Sequence, residues 1–118
     1  VPKSLCLIVQ TAPYTSENID TAIGLAEAAL DRGDKVSLFL YIDGVINANR
    51  LIDAPGERQI GAKLRELAGR GMAVATCGPC SRFRGIAKDL HFEGASMGSL
   101  VDLADYLDGA DALVSLGF

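Results

Sequence analysis

The sequence predicts an α/β fold, a three-layer α/β/α sandwich around a mostly parallel sheet of four or five strands. Three observations carry this. The runs at Leu5–Val9 and Val36–Tyr41 have the composition of strands that meet water on neither face. Between them, apolar residues recur with the 3.6-residue period of a helix. The order strand, helix, strand then needs a right-handed crossover, which lays successive strands parallel.

Taken in order, Leu5–Val9 is the first strand. After the turn residues Thr11 to Thr15, Ser16 caps a helix whose buried positions are Ile19, Ala22, Ile23, Ala26, Ala29 and Leu30, and Gly33 ends it. Val36–Tyr41 is the second strand. From Asp43 to Gly56 the chain is too polar for a strand and reads as a surface loop or short irregular helix. Glu57–Arg70 is helical by the spacing of Ile60, Leu64, Leu67 and Ala68, stops at Gly71, and leads into a small-residue strand over Met72–Thr76. Ser81 to Glu93 carries no clear period. Ser96 or Ser99 caps a last helix with Leu100, Leu103, Ala104 and Leu107 on one stripe, and Ala112–Leu116 closes as a strand.

A chain of 118 residues is one domain, spanning 1–118, and with 49% apolar and 22% charged residues it can bury a core. Its net charge of -4, with no basic block, gives no electrostatic reason to expect nucleic acid or an anionic membrane as partner. The longest apolar runs fall far short of the ~20 residues of a spanning helix, and the first residues have no secretory pattern. An odd set of cysteines, at 6, 77 and 80, is not a secreted disulfide framework, and a reducing cytoplasm is the expected location.

The strongest chemical signal is Cys77-Gly78-Pro79-Cys80, placed where a strand gives way to a helix. Open α/β sheets bind their ligands at the carboxyl ends of parallel strands. A helix starting at Pro79 sets Cys77 at its positive end, and Arg82 and Arg84 follow within a turn and a half, so a lowered thiol pKa is expected. The competing reading makes both cysteines inert packing residues, as Cys6, mid-strand between Leu5 and Leu7, is expected to be. A thioredoxin also joins a strand and a helix through such a motif. Its fold needs a cis-proline after the motif, however, and Pro2, Pro13, Pro55 and Pro79 include none there; Thr76 stands where thioredoxins usually have Trp.

A zinc or iron–sulfur site lacks ligands, since only Cys6, His91 and distant carboxylates are left to join the pair. Gly94-Ala95-Ser96-Met97-Gly98 matches the hydrolase elbow only formally, because His91, the single histidine, precedes it. Ser96 therefore reads as a helix cap and His91 as a surface or loop residue.

Two blocks carry a family resemblance. Gly33-Asp34-Lys35-Val36-Ser37-Leu38-Phe39-Leu40-Tyr41-Ile42-Asp43-Gly44-Val45 with Asn47-Ala48-Asn49, and Gly71 through Cys77 continuing to Arg82-Phe83-Arg84-Gly85-Ile86, resemble the DsrE/TusD-like sulfur-relay family. Met97 through Val114 is similar to its C-terminus, so the resemblance covers nearly the whole chain. It implies a carrier that accepts persulfide sulfur from a donor protein and passes it to an acceptor protein, in sulfur oxidation or transfer RNA thiolation. By its register Cys77 is the sulfur-accepting residue, with Gly78, Arg82 and Arg84 in support. It implies no metal or organic cofactor, and a homo- or hetero-oligomer, commonly a trimer or hexamer. Cys80 departs from the family pattern of one cysteine here, and a second thiol three residues on can attack a Cys77 persulfide and form a disulfide. A dithiol–disulfide oxidoreductase, or a non-catalytic subunit of a relay complex, are the alternatives.

Overall fold

The computed structural model describes residues 1–118. Five strands, β1 (Ser4–Val9), β2 (Lys35–Leu40), β3 (Ala73–Cys77), β4 (Ala95–Gly98) and β5 (Ala112–Leu116), form one sheet in the order β4-β3-β2-β1-β5, every neighbour parallel. The helices are α1 (Asn18–Asp31), α2 (Ile60–Gly69), α3 (Gly78–Phe83) and α4 (Leu100–Asp108). None of them is long and apolar enough to cross a membrane.

Side chains alternate across the sheet, as a two-residue strand period dictates. Leu7 and Val9 of β1, Val36, Leu38 and Leu40 of β2, and Val74 of β3 face α1 and α2 in a core cluster of 17 buried residues. Cys6, Ile8, Phe39, Ala75 and Cys77 point the other way, into a cluster of seven covered by α3, α4 and a 3₁₀ segment at Ile42–Ala48. The sandwich is therefore lopsided: α1 buries five residues and α4 buries none.

The sequence-based elements hold, with shifts that have physical causes. The N-cap of α1 is Glu17, which makes no side-chain cap, rather than Ser16; Ser16 stands one residue earlier, its Oγ accepting from Asn18 N at 3.3 Å. The second helix begins at Ile60 rather than Glu57, because Glu57 to Gln59 lie in a turn whose amides and side chains bond back to Ala54 and Glu57 carbonyls. The supposed surface loop at Asp43 is partly core: Gly44, Val45, Asn47 and Ala48 are buried in the 3₁₀ segment. A methyl on Gly44 would collide with the Val9 carbonyl oxygen, so only glycine lets this segment close over the end of β1. Ile42, β-branched, adopts a left-handed φ of 55° at the same turn, a strained conformation held by its surroundings.

Two expectations are corrected. Ser96 is not a helix cap; it sits in β4, an edge strand too short to show a pattern, and donates to Val74 O. Ser99 caps α4 instead, in a capping box with Asp102. His91 is not a surface residue: it is 7% exposed, drawn in by polar partners that sequence spacing does not reveal.

Candidate functional site

Cys77 ends β3 and is the N-cap of α3, its backbone extended at φ -68°, ψ 119°. The turn is this tight because Gly78 has no side chain: a Cβ there would lie 2.9 Å from Gly98 O at the end of β4. Pro79 suits the first turn, where its missing amide proton costs nothing. Ser81, fully buried, donates from Oγ to Cys77 O at 2.9 Å and closes the turn from inside.

The two cysteines differ in access. Cys77 is 4% exposed and packs on Phe39, Val45, Ala75 and Ile86, whereas Cys80 is half-buried at the rim of that cluster. Burial pushes the Cys77 thiol up from its ordinary value; its hydrogen bond with the Cys80 side chain adds to this, and the Cys80 backbone amide and the Arg82 charge oppose it more weakly. The lowered pKa expected from the sequence is thus overturned. A six-residue helix carries little dipole, and desolvation disfavours the thiolate more than one exposed guanidinium favours it.

The arginines divide as well. Arg84 does not face the thiol as a free charge: its Nε and Nη2 both lie 2.8 Å from Asp43 Oδ1, and its Nη1 donates to Cys80 O at 3.0 Å. It fastens α3 to the 3₁₀ segment. Arg82 is exposed and has no carboxylate partner. Asp43 was not legible as a site residue, since 41 positions separate it from Arg84.

Behind the cysteine, on the other sheet face, lies a buried polar chain. His91 Nδ1 is 3.0 Å from Ala87 O, which can only accept, so Nδ1 carries a proton. In neutral His91 the Nε2, 2.8 Å from Thr76 Oγ1, then accepts from the Thr76 hydroxyl, and Ser81 Oγ reaches Thr76 at 3.4 Å. Thr76 is the residue next to Cys77, so this chain fixes the last strand position before the site. Cys6 is core as expected, fully buried two strands away, its thiol pushed up by burial. No three His, Cys, Asp or Glu side chains converge anywhere as a metal site.

A cysteine pair at the carboxyl end of the penultimate strand of a parallel sheet, clamped by an Arg–Asp pair, defines the class: an α/β/α protein presenting thiols at a strand-to-helix turn. The chain belongs to the DsrE/DsrF-like family, whose model matches residues 3–116. In fold it is similar to the crystal structure of the ychN protein from E. coli, with a TM-score of 0.89 and 27% identity over 97% of this chain and 99% of that one. Its sequence is similar to the putative sulfurtransferase DsrE of Allochromatium vinosum, 31% identical over 94% of this chain and 96% of that protein. It is also 29% identical to the sulfurtransferase TusD of Pectobacterium carotovorum, over 80% of this chain and 79% of that protein.

Proposed function

We propose that this protein is an intracellular sulfur carrier that holds persulfide sulfur on Cys77. The observation that supports the reading best is a thiol at the carboxyl end of a parallel strand, beside a second thiol, in a family with sulfurtransferase relatives. The Cys77 thiolate attacks the outer sulfur of a donor persulfide; the donor S–S bond breaks, the donor leaves as a thiolate, and a Cys77 persulfide forms with no net oxidation. An acceptor thiolate then takes the outer sulfur in the same way and regenerates Cys77. Because Cys77 is buried, the donor protein has to open α3 or approach past Cys80, which makes docking the gate on transfer.

Incubating the reduced protein with a persulfide donor and weighing it intact tests this: one sulfur atom is gained by the wild type and lost in Cys77→Ser. Undiminished loading in that variant refutes the assignment. The proximity of Cys80 favours one second reading, a dithiol reductase. Here the Cys80 thiolate attacks the inner sulfur of the Cys77 persulfide, sulfide leaves, and a Cys77–Cys80 disulfide forms. Sulfide release by the wild type but not by Cys80→Ser marks that outcome.

We further propose that the thin face of the sandwich is covered by another subunit. Leu113 pairs in register with Cys6 and so lies on the same face, yet it is half exposed, and Leu100, Val101 and Leu107 of α4, which covers that face, are exposed as well. A second copy of the chain is the simplest occupant. Light scattering reads it: an oligomer for the wild type and a monomer for Leu113→Asp, with a wild-type monomer refuting it and leaving a different subunit as occupant.

A further inference from the structure

A cleft at the start of α2 is lined by residues that the sulfur chemistry does not use, two arginines among them. The first-turn amides of α2 have no side-chain cap, and no acidic residue lies in that turn. Such amides are orphan donors at the positive end of the helix dipole. Arg65, on the next turn, has no carboxylate partner among the ion pairs of the chain and folds back over these amides: a methyl placed on Gly61 would lie 3.5 Å from its guanidinium. Arg50 also lines the cleft, its Nε donating to Asp89 O at 2.8 Å and its other guanidinium nitrogens free, and no carboxylate side chain borders it.

The second observation is independent of the helix. Asn47 also lines the cleft and is 2% exposed. Its Nδ2 is turned away, donating to Thr11 O at 3.1 Å and Gly44 O at 3.0 Å, neither of which borders the cleft. That fixes the amide orientation and sets Oδ1 on the side away from Thr11 O and Gly44 O. Oδ1 is the single buried side-chain polar atom in the protein without a hydrogen-bond partner. A buried acceptor left unpaired is costly, and a ligand that brings a donor would relieve that cost.

We propose that this cleft binds a small oxyanion that keeps one hydroxyl, hydrogenphosphate being the simplest. The anionic oxygens take the Gly61 and Ala62 amides and the guanidiniums of Arg65 and Arg50, and the hydroxyl donates to Asn47 Oδ1. The cleft is small, about 30 Å³, and open to solvent, so part of the ion stays hydrated. The buried acceptor also sets specificity: sulfate carries no proton at neutral pH, so one of its oxygens would face Oδ1 lone pair to lone pair. A phosphate monoester dianion has the same defect.

The test is amide NMR of the whole chain at constant ionic strength, titrated in turn with inorganic phosphate, sulfate and methyl phosphate. Saturable shifts of Gly61 and Ala62 with phosphate, and at least about tenfold weaker binding of sulfate and methyl phosphate, are expected. Arg65→Gln, an exposed change that leaves the fold intact by its unaltered spectrum elsewhere, weakens phosphate about tenfold or more through the lost charge-assisted bond. Absence of shifts at those amides overturns the proposal, as does a phosphate affinity unchanged in Arg65→Gln. Equal affinity for phosphate and sulfate overturns the role given to Asn47.

Discussion

Replacing Arg84 with Met tests how α3, and with it Cys77, is held. A helix of six residues has no stability of its own, since nucleation alone outweighs the few bonds it makes. Besides the Ser81 hydroxyl and the packing of Cys77 and Ile86, it is attached through Arg84, which meets Asp43 through Nε and Nη2 and the Cys80 carbonyl through Nη1. Met keeps the aliphatic stem and removes all three bonds. The Asp43 side chain is 44% exposed and that of Arg84 26%, so the pair is discounted for solvent screening to about 1 kcal/mol. The bond to the Cys80 carbonyl adds about 1 kcal/mol. The loss is therefore about 2 kcal/mol in all, and for 118 residues each 1 kcal/mol moves Tm by roughly 4 °C, giving a drop near ~8 °C. Thermal unfolding of Arg84→Met, Asp43→Asn and the double variant forms a cycle whose coupling should be near ~1 kcal/mol. A coupling indistinguishable from zero, or a single-variant loss below about 0.5 kcal/mol, shows that the contact is a solvated surface pair and that something else holds the turn.

Three further outcomes follow from the same geometry. Iodoacetamide should modify Cys80 first, Cys77 slowly and Cys6 only on unfolding, as read by peptide mass; equal rates for Cys77 and Cys80 would contradict the burial. Cys6, Cys77 and Tyr106 all have their pKa raised by burial, so above the ordinary thiol range of about 8.5 the unfolded chain loses protons that the folded one keeps. Stability contributed by these groups is thus complete at neutral pH and falls as pH climbs from there; urea midpoints flat from pH 8 to 10.5 would refute it. Thr76→Val leaves His91 Nε2 buried without its partner and should cost about 1–3 kcal/mol in urea unfolding, and a neutral result would mean that water or a rotated ring replaces the hydroxyl.

Much of the architecture was readable because it rests on local patterns. Leu5–Val9 and Val36–Tyr41 read as buried strands since both faces are in fact covered, although β2 ends at Leu40, and the stripe Ile19, Ala22, Ile23, Ala26, Ala29 is the face that α1 buries. The position of Cys77 at a strand-to-helix turn was legible from spacing, and the family blocks around it agree with the family model over residues 3–116. β4 escaped because four residues, Ala95–Gly98, at a sheet edge have no period to detect. His91 escaped because its burial depends on Thr76, fifteen residues earlier in the chain and brought to it by the sheet.

By itself, then, the sequence determined the order of strands and helices apart from β4, their mostly parallel pairing and the cysteine at a strand end, for these follow from periodicity and from the handedness of crossovers between neighbours. The tertiary structure decided the state of that cysteine. Whether a thiol is ionised depends on how much water and which charges surround it, and here Phe39, Val45 and Ile86 exclude water while Asp43 takes the charge of Arg84. Those partners come from three other segments of the chain, and only folding sets them around one sulfur atom.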